Sequence, residues 1–225
     1  MSRIIALIPA YNEAARVADV VRAARAHLPV WVVDDGSTDD TAARALDAGA
    51  TVLRQTSNLG KGAALQTGFR QALAEGMEAV LTLDADGQHD PTEMPKFLEA
   101  YAAQRADLII GARDFRQIPW VRRLANTLGR RSFSWALGQP ILDNQSGYRL
   151  ISRRLLQATL NSRERGFEFE VEMIVTCVAH GFELRWVPIR TIYADEPSHI
   201  NPWHHTVNFI RLVWRTRRRA RGPAS

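Results

Sequence analysis

The chain has 225 residues, 46% of them apolar, with a formal net charge of +5 and a pI near 10.0. That is enough chain for one substantial core, while its apolar runs fall short of the roughly 20 residues that a bilayer-crossing helix needs. Glu13 and Arg16 follow the first apolar run too soon for a signal peptide, the lone Cys177 excludes an internal disulfide, and the expected compartment is the cytoplasm. In chain order, residues 3–8 read as a strand, 13–28 as an Ala-rich helix and 30–34 as a second strand. A helix follows at 38–48, a short strand at 51–54 and a helix at 61–75. Residues 79–84 form a fourth strand, 91–104 a helix and 107–111 a fifth strand. This alternation predicts right-handed βαβ units on a mostly parallel sheet, with ligands bound beyond the carboxyl ends of the strands. The second half is less regular: a basic loop and helix at 113–138, a strand at 146–151, a helix at 168–180 and a strand at 184–189.

Acidic residues gather at the predicted strand ends. In "VVDDGSTDDT", residues 32–41, Asp34 and Asp35 close the second strand, Gly36 permits a tight turn, and Ser37, Thr38 or Asp39 can cap the next helix. Capping does not account for the paired acids, which can accept hydrogen bonds from a base or from ribose hydroxyls. In "NLGKGAAL", residues 58–65, two glycines flank Lys61 at a helix start. This has the look of a phosphate cradle without the G-x-x-x-x-G-K-[ST] spacing; a plain turn before a helix is the alternative. In "LTLDADGQHDP", residues 81–91, Asp84 and Asp86 stand one residue apart with the small Ala85 between them, and Gln88 adds a neutral oxygen. A few oxygen ligands suit Mg²⁺ or Mn²⁺, with substrate phosphates completing the shell. His89 reads as a loop residue near the site rather than a ligand, and Asp90 as the cap of a helix with Pro91 at its first position.

The succession "IPAYNE" (8–13), "VVDDGSTDDT", "NLGKGAAL", "LDADGQHDP" and "GAR" (111–113) resembles family 2 glycosyltransferases of the GT-A fold. "DNQSGYRLIS", residues 143–152, is similar to the D-x-x-S-G-[FY]-R segment of the branch containing dolichyl-phosphate mannose synthase and bacterial polyprenyl-phosphate glycosyltransferases. The resemblance implies an α/β fold of the GT-A type, a Rossmann-like, mostly parallel central sheet flanked by helices, over residues 1–200. It implies an inverting, metal-dependent transfer of a sugar from a GDP- or UDP-sugar to a polyprenyl phosphate. Pro9, Tyr11 and Glu13 would line the nucleotide pocket, Asp35 with Asp34 would hold base or ribose, and Lys61 would join Asp84 at the nucleotide. Asp84, Asp86 and Gln88 would ligate Mg²⁺ or Mn²⁺ bridging the diphosphate.

In that branch the nucleophile is an anionic phosphate oxygen, which needs cationic positioning more than a base. Arg113, Arg122, Asn126 and Ser146 are the candidates for holding it, and Arg suits a bidentate grip. Arg149 either joins them or holds its loop by ion pairing. Asp143 is a base, an orienting carboxylate or a loop cap; Asp86, Asp143 and Arg122 are the expected catalytic group. Ser198 and His199 fall where the family has a loop near the diphosphate. Residues 201–225 form a separate segment: Asn201 and Pro202 start a helix with Trp203, Val207, Ile210 and Trp214 on one stripe and Arg211, Arg215 and Arg217 at its basic end. Such a C-terminal amphipathic basic helix suits an anionic membrane surface on the inner face of the cell membrane; packing on the domain is the alternative. Lipid would then be met peripherally or through a membrane partner subunit, and nucleic acid is not expected, since no recognition motif accompanies the charge. Three rivals remain open: the same donor with a hydroxyl acceptor and Asp143 as base, a D-x-D phosphatase, and a non-catalytic membrane scaffold.

Overall fold

Strand β1, Ile4–Ala10, is buried along its whole length because it lies inside the sheet and has helices on both faces. In the computed structural model, which describes residues 3–113, 131–166 and 168–190, seven strands form one sheet. They are β1, β2 (Val30–Asp34), β3 (Thr51–Arg54), β4 (Ala79–Thr82), β5 (Leu108–Arg113), β6 (Arg149–Ser152) and β7 (Leu184–Ile189). Their order is β3-β2-β1-β4-β6-β5-β7. Every neighbouring pair is parallel except those made by β6, which runs antiparallel to β4 and β5 and is inserted between them. The expected α/β fold with a mostly parallel sheet is therefore present, and the single reversed strand belongs to the less regular second half.

Alternation along each strand divides the core. Ile4, Ala6, Ile8 and Ala10 face one layer, with Val17, Val20 and Val21 of α1 (Val17–Arg25), Ala45 of α2 (Thr41–Asp47) and Phe97 of α4 (Met94–Gln104). Ile5 and Leu7 face the other, with Leu65 and Phe69 of α3 (Lys61–Ala74), Leu155 of α5 (Arg153–Thr159) and Phe169 and Ile174 of α6 (Glu168–Ala179). Among the described residues no helix is long and apolar enough to cross a membrane. The helix expected at residues 201–225 lies outside the described residues.

Several element ends differ from the sequence reading for local reasons. β1 runs on to Ala10 through Pro9, although proline cannot donate to a ladder. Ala6 N–H and Ala10 C=O bond on the β2 side, and Leu7 C=O bonds on the β4 side, so Pro9 faces the side where β4 has already ended at Thr82. Leu83 and Asp84, expected inside the fourth strand, lie beyond that end. Residues 38–40 were expected in the second helix, but α2 starts at Thr41 because the preceding turn is tied to the first loop: Asn12 Oδ1 accepts from Thr38 N–H, and Asn12 N–H donates to Ser37 Oγ. Helix α5 carries no expectation from the sequence; it starts where Ser152 Oγ accepts from Leu155 N–H, at 3.4 Å.

Candidate active site

The carboxyl ends of β1, β2 and β4 open on one cleft of about 360 Å³, lined among others by Pro9, Tyr11, Glu13, Asp35, Lys61, Asp84 and Asp86. This is where a parallel sheet leaves strand ends uncovered. The sequence candidates from four separate motifs thus converge on one space, while Asp34, Gln88, Arg113, Asp143, Ser146 and Arg149 stand outside its lining.

At one end of the cleft, β2 delivers the paired acids, and the pair divides its work. Asp34 is fully buried; its Oδ1 accepts from Ser37 N–H at 3.0 Å and its Oδ2 lies 3.1 Å from Arg54 Nε. It shapes the turn and does not line the cleft. Gly36 follows with φ of 72°, and a Cβ there would lie 2.4 Å from the Ser57 backbone, so only glycine fits. Asp35 does line the cleft. It accepts from Leu59 N–H at 2.8 Å and Gly60 N–H at 2.9 Å, tying the Gly-Lys-Gly loop to the end of β2. A carboxylate has about four lone-pair directions, so two remain for a ligand.

At the other end stand Asp84 and Asp86. Asp84 leaves the sheet with its N–H donated to His89 Nδ1 at 3.1 Å. His89 is buried, its ring lies 5.1 Å from that of Tyr148, and burial keeps it below the ordinary histidine range. It is a support for the turn. Asp86 accepts from Gln88 N–H at 2.9 Å; burial raises its carboxyl, the Gln88 N–H opposes, and the Asp84 charge adds to the rise. Gln88 enters this geometry through its backbone. Among the described residues no three His, Cys, Asp or Glu side chains converge as a closed metal cage. Two carboxylates at an open edge instead form the sparse oxygen set that Mg²⁺ or Mn²⁺ shares with phosphates, so the donor chemistry fits such an ion. Asp90 Oδ1 accepts from Thr92 N–H and caps the Pro91–Glu93 turn that leads into α4.

Lys61 is turned beneath this edge. Its Nζ is 2.5 Å from Asp84 Oδ1 and 2.9 Å from Glu170 Oε1. Burial alone would lower the ammonium; the two carboxylates outweigh that and hold it above its ordinary value. Burial would raise Asp84, and the Lys61 charge overcomes this and brings the carboxyl to about 2. Because the folded value is depressed, ionised Asp84 stabilises the fold above about pH 4, and that contribution fades as pH falls towards 2. The two values imply an effect on the order of 2 kcal/mol. Urea midpoints between pH 5 and pH 2.5 should fall less steeply for Asp84→Asn than for the unmodified protein; equal slopes would refute this linkage. Glu170 on α6 escaped the sequence reading entirely.

The loop before β6 holds the remaining described candidates. Asp143 is buried and grips Arg113 at the end of β5, with Arg113 Nε donating to Oδ2 at 2.7 Å and Nη2 to Oδ1 at 3.0 Å. Its Oδ1 also accepts from Gln145 and Ser146 N–H. Through these bonds the carboxylate caps its own loop and ties it to the end of β5. Ser146 is fully buried, and its Oγ has no hydrogen-bond partner among the described residues. Arg149 is wholly enclosed, donating from Nε to Ser146 O at 2.6 Å, from Nη2 to Asn144 O at 3.3 Å and from Nη1 to Glu170 O. It holds its loop through carbonyl oxygens and does not face the cleft. Gly147 lies so close to the site that a Cβ would sit 2.8 Å from Asp84 Oδ2 and 3.0 Å from Glu170 Oε1. Arg122, Asn126, Ser198 and His199 lie outside the described residues.

Comparison with known proteins gives a family and a fold. The sequence model of Glycosyl transferase family 2 matches residues 5–160. The undecaprenyl-phosphate mannosyltransferase of Micrococcus luteus is 33% identical over 205 residues, which cover 83% of this chain and 82% of that protein. The polyprenol monophosphomannose synthase of Mycolicibacterium smegmatis is 32% identical over 203 residues, 83% of this chain and 76% of that one. Among solved structures, glucosyl-3-phosphoglycerate synthase from Mycobacterium tuberculosis, in complex with Mn²⁺, uridine diphosphate and glucosyl-3-phosphoglycerate, superposes with a TM-score of 0.70 at 22% identity. That match covers 99% of this chain and 81% of the other. The likeness is one of fold, that of the GT-A glycosyltransferases.

Proposed function

The chain belongs to glycosyl transferase family 2, and from that membership we propose that it moves a sugar from a nucleotide diphosphate sugar to a polyprenyl phosphate. The carrying observation is the cleft itself, with Asp35 at one end and Asp84 and Asp86 at the other, joined to relatives named for polyprenyl-phosphate transfer. Tyr11 and Asp35 receive the nucleoside, the Asp35 carboxylate taking a base N–H or ribose hydroxyl. Asp84 and Asp86 hold a divalent ion, which when bound supplies a Lewis acid for the leaving diphosphate; a protein of the same fold is crystallised with Mn²⁺ and uridine diphosphate.

In this reading the acceptor phosphate oxygen attacks the anomeric carbon from the face opposite the diphosphate. The new C–O bond forms as the bond to the nucleoside diphosphate breaks, so configuration inverts. The nucleophile is already anionic and no proton must be removed. Asp143 agrees with that: its carboxylate is engaged by Arg113 and two backbone N–H groups, an orienting arrangement and not that of a base awaiting a hydroxyl. Arg113, with Arg122 and Asn126, supplies the cationic seat for the acceptor. Lipid is met at the inner face of the membrane, through the basic segment at 201–225 or a membrane partner subunit.

A panel of GDP- and UDP-sugars, incubated with Mn²⁺ and short-chain polyprenyl phosphate, tests the reading. One donor should yield a glycosyl phosphoprenol, and the anomer formed should be opposite to that of the donor. Transfer to sugar hydroxyls in preference to the lipid phosphate would defeat it.

A further inference from the structure

Lys61 stands between two carboxylates that belong to different parts of the fold. Asp84 comes from the end of β4 and Glu170 from α6, and the ammonium reaches both, at 2.5 and 2.9 Å. All three side chains are sheltered, with relative exposures of 17% for Lys61, 25% for Asp84 and 6% for Glu170. Gly147 lets the acceptor-side loop close over the pair of carboxylates without a side chain between. A purely structural ion pair needs one carboxylate. Here Asp84, Asp86 and Glu170 set three negative charges against Lys61 and, behind Glu170, Arg149, whose Nη1 donates to the Glu170 carbonyl. Arg113 is already matched by Asp143. Among the described residues the surplus is negative and lies at the cleft edge.

Building on the divalent-ion reading of Asp84 and Asp86, we propose that Lys61 is an exchangeable counter-cation that neutralises Asp84 in the metal-free protein and withdraws onto Glu170 when a divalent ion takes Asp84. An ammonium and a doubly charged ion on the same carboxylate repel each other strongly in a sheltered site. A buried lysine can yield only if a second carboxylate keeps it paired, since an unpaired buried charge is costly. Glu170 is that carboxylate, already within bonding distance, so the exchange requires a small torsional shift and no rearrangement of the sheet. Glu170 is thus a positioning residue that acts on metal binding through Lys61. The exchange also links the metal to the acceptor loop, because Arg149 ties the Glu170 backbone to Asn144 and Ser146.

The chain has only two lysines, Lys61 and Lys96, which makes the exchange directly visible. Full-length protein labelled with ¹³C,¹⁵N-lysine gives two side-chain signals, assigned with Lys96→Arg. On titration with Mg²⁺, the Lys61 signal should move with saturation while that of Lys96 stays in place. Mn²⁺ binding, followed by the electron paramagnetic resonance of the free ion with and without UDP or GDP, should tighten about tenfold in Lys61→Met and weaken about tenfold in Glu170→Gln. A Lys61 signal unmoved by bound Mg²⁺, or Mn²⁺ affinity unchanged in a folded Glu170→Gln, overturns the exchange and leaves the metal site standing. Failure of the unmodified protein to bind either ion, even with nucleotide, overturns the metal site and the exchange together. The lysine spectrum of the unmodified protein decides the matter should either variant fail to fold.

Discussion

Asp86→Ala should lower sugar transfer by at least about a thousandfold while leaving the fold nearly intact. A bound cation stabilises the charge on a leaving diphosphate by several kcal/mol, and about 4 kcal/mol is three decades in rate. Asp86 sits at the open edge, where its one described hydrogen bond is from Gln88 N–H. Losing that bond costs about 1 kcal/mol of stability. The measurement is kcat/KM with the active nucleotide sugar and a short-chain polyprenyl phosphate, beside a urea midpoint. Raising the Mn²⁺ concentration should recover little, because Ala supplies no oxygen donor. A variant that retains transfer would remove Asp86 from the donor site and with it the two-carboxylate account of the cleft.

Arg149→Met should instead cost about 3–5 kcal/mol of folding stability, the penalty for removing one partner from a buried charged network. The guanidinium is fully buried and its three donor nitrogens meet three separate carbonyl oxygens, those of Asn144, Ser146 and Glu170. Methionine fills comparable space but donates to none of these oxygens, so the Asn144 and Ser146 carbonyls lose their Arg149 donors and the Glu170 carbonyl keeps its helical one alone. Lysine restores the charge but cannot span the same three oxygens from one nitrogen, so Arg149→Lys should be nearly as damaging. Chemical denaturation of both variants tests this. Were Arg149 instead a phosphate-binding group, the variants would keep their stability and lose affinity for the lipid acceptor.

The donor half was legible because its chemistry and its periodicity coincide. β2 and β3 appear where the apolar runs place them, and Asp35 just after β2 and Asp84 and Asp86 after β4 fall at the cleft because a parallel sheet puts those ends on one side. Division of labour within the acid pair was not legible. Whether Asp34 or Asp35 faces the ligand depends on which way the strand's pleat presents its last residues and on Arg54, one strand away. The acceptor half was harder for the same kind of reason. β6 has four residues, and its antiparallel place between β4 and β5 is set by partners far off in sequence. Glu170 lies two residues from Glu168 and Glu172, hence on the opposite side of the helix from them, on the face of the buried Met173, Ile174 and Cys177. Its partner Lys61 comes from another helix, and no local signal announces a pair of that kind. His89 was read as a neighbour of the site, and its ring supports the Asp84 backbone.

The reversed strand also bears on how the chain is made. During vectorial synthesis β1 to β4 leave the ribosome first, and β5 follows, yet β4 and β5 are not neighbours in the sheet. Until β6 emerges, the nascent sheet ends at the apolar edge of β4, and β5 has no strand to pair with, since its two neighbours both follow it in the chain. At roughly 5–20 residues per second the wait is on the order of seconds, long enough for an unpaired edge to capture another chain. Arg149, the first residue of β6, carries its charge onto that edge together with the strand that covers it and brings β5 into the sheet.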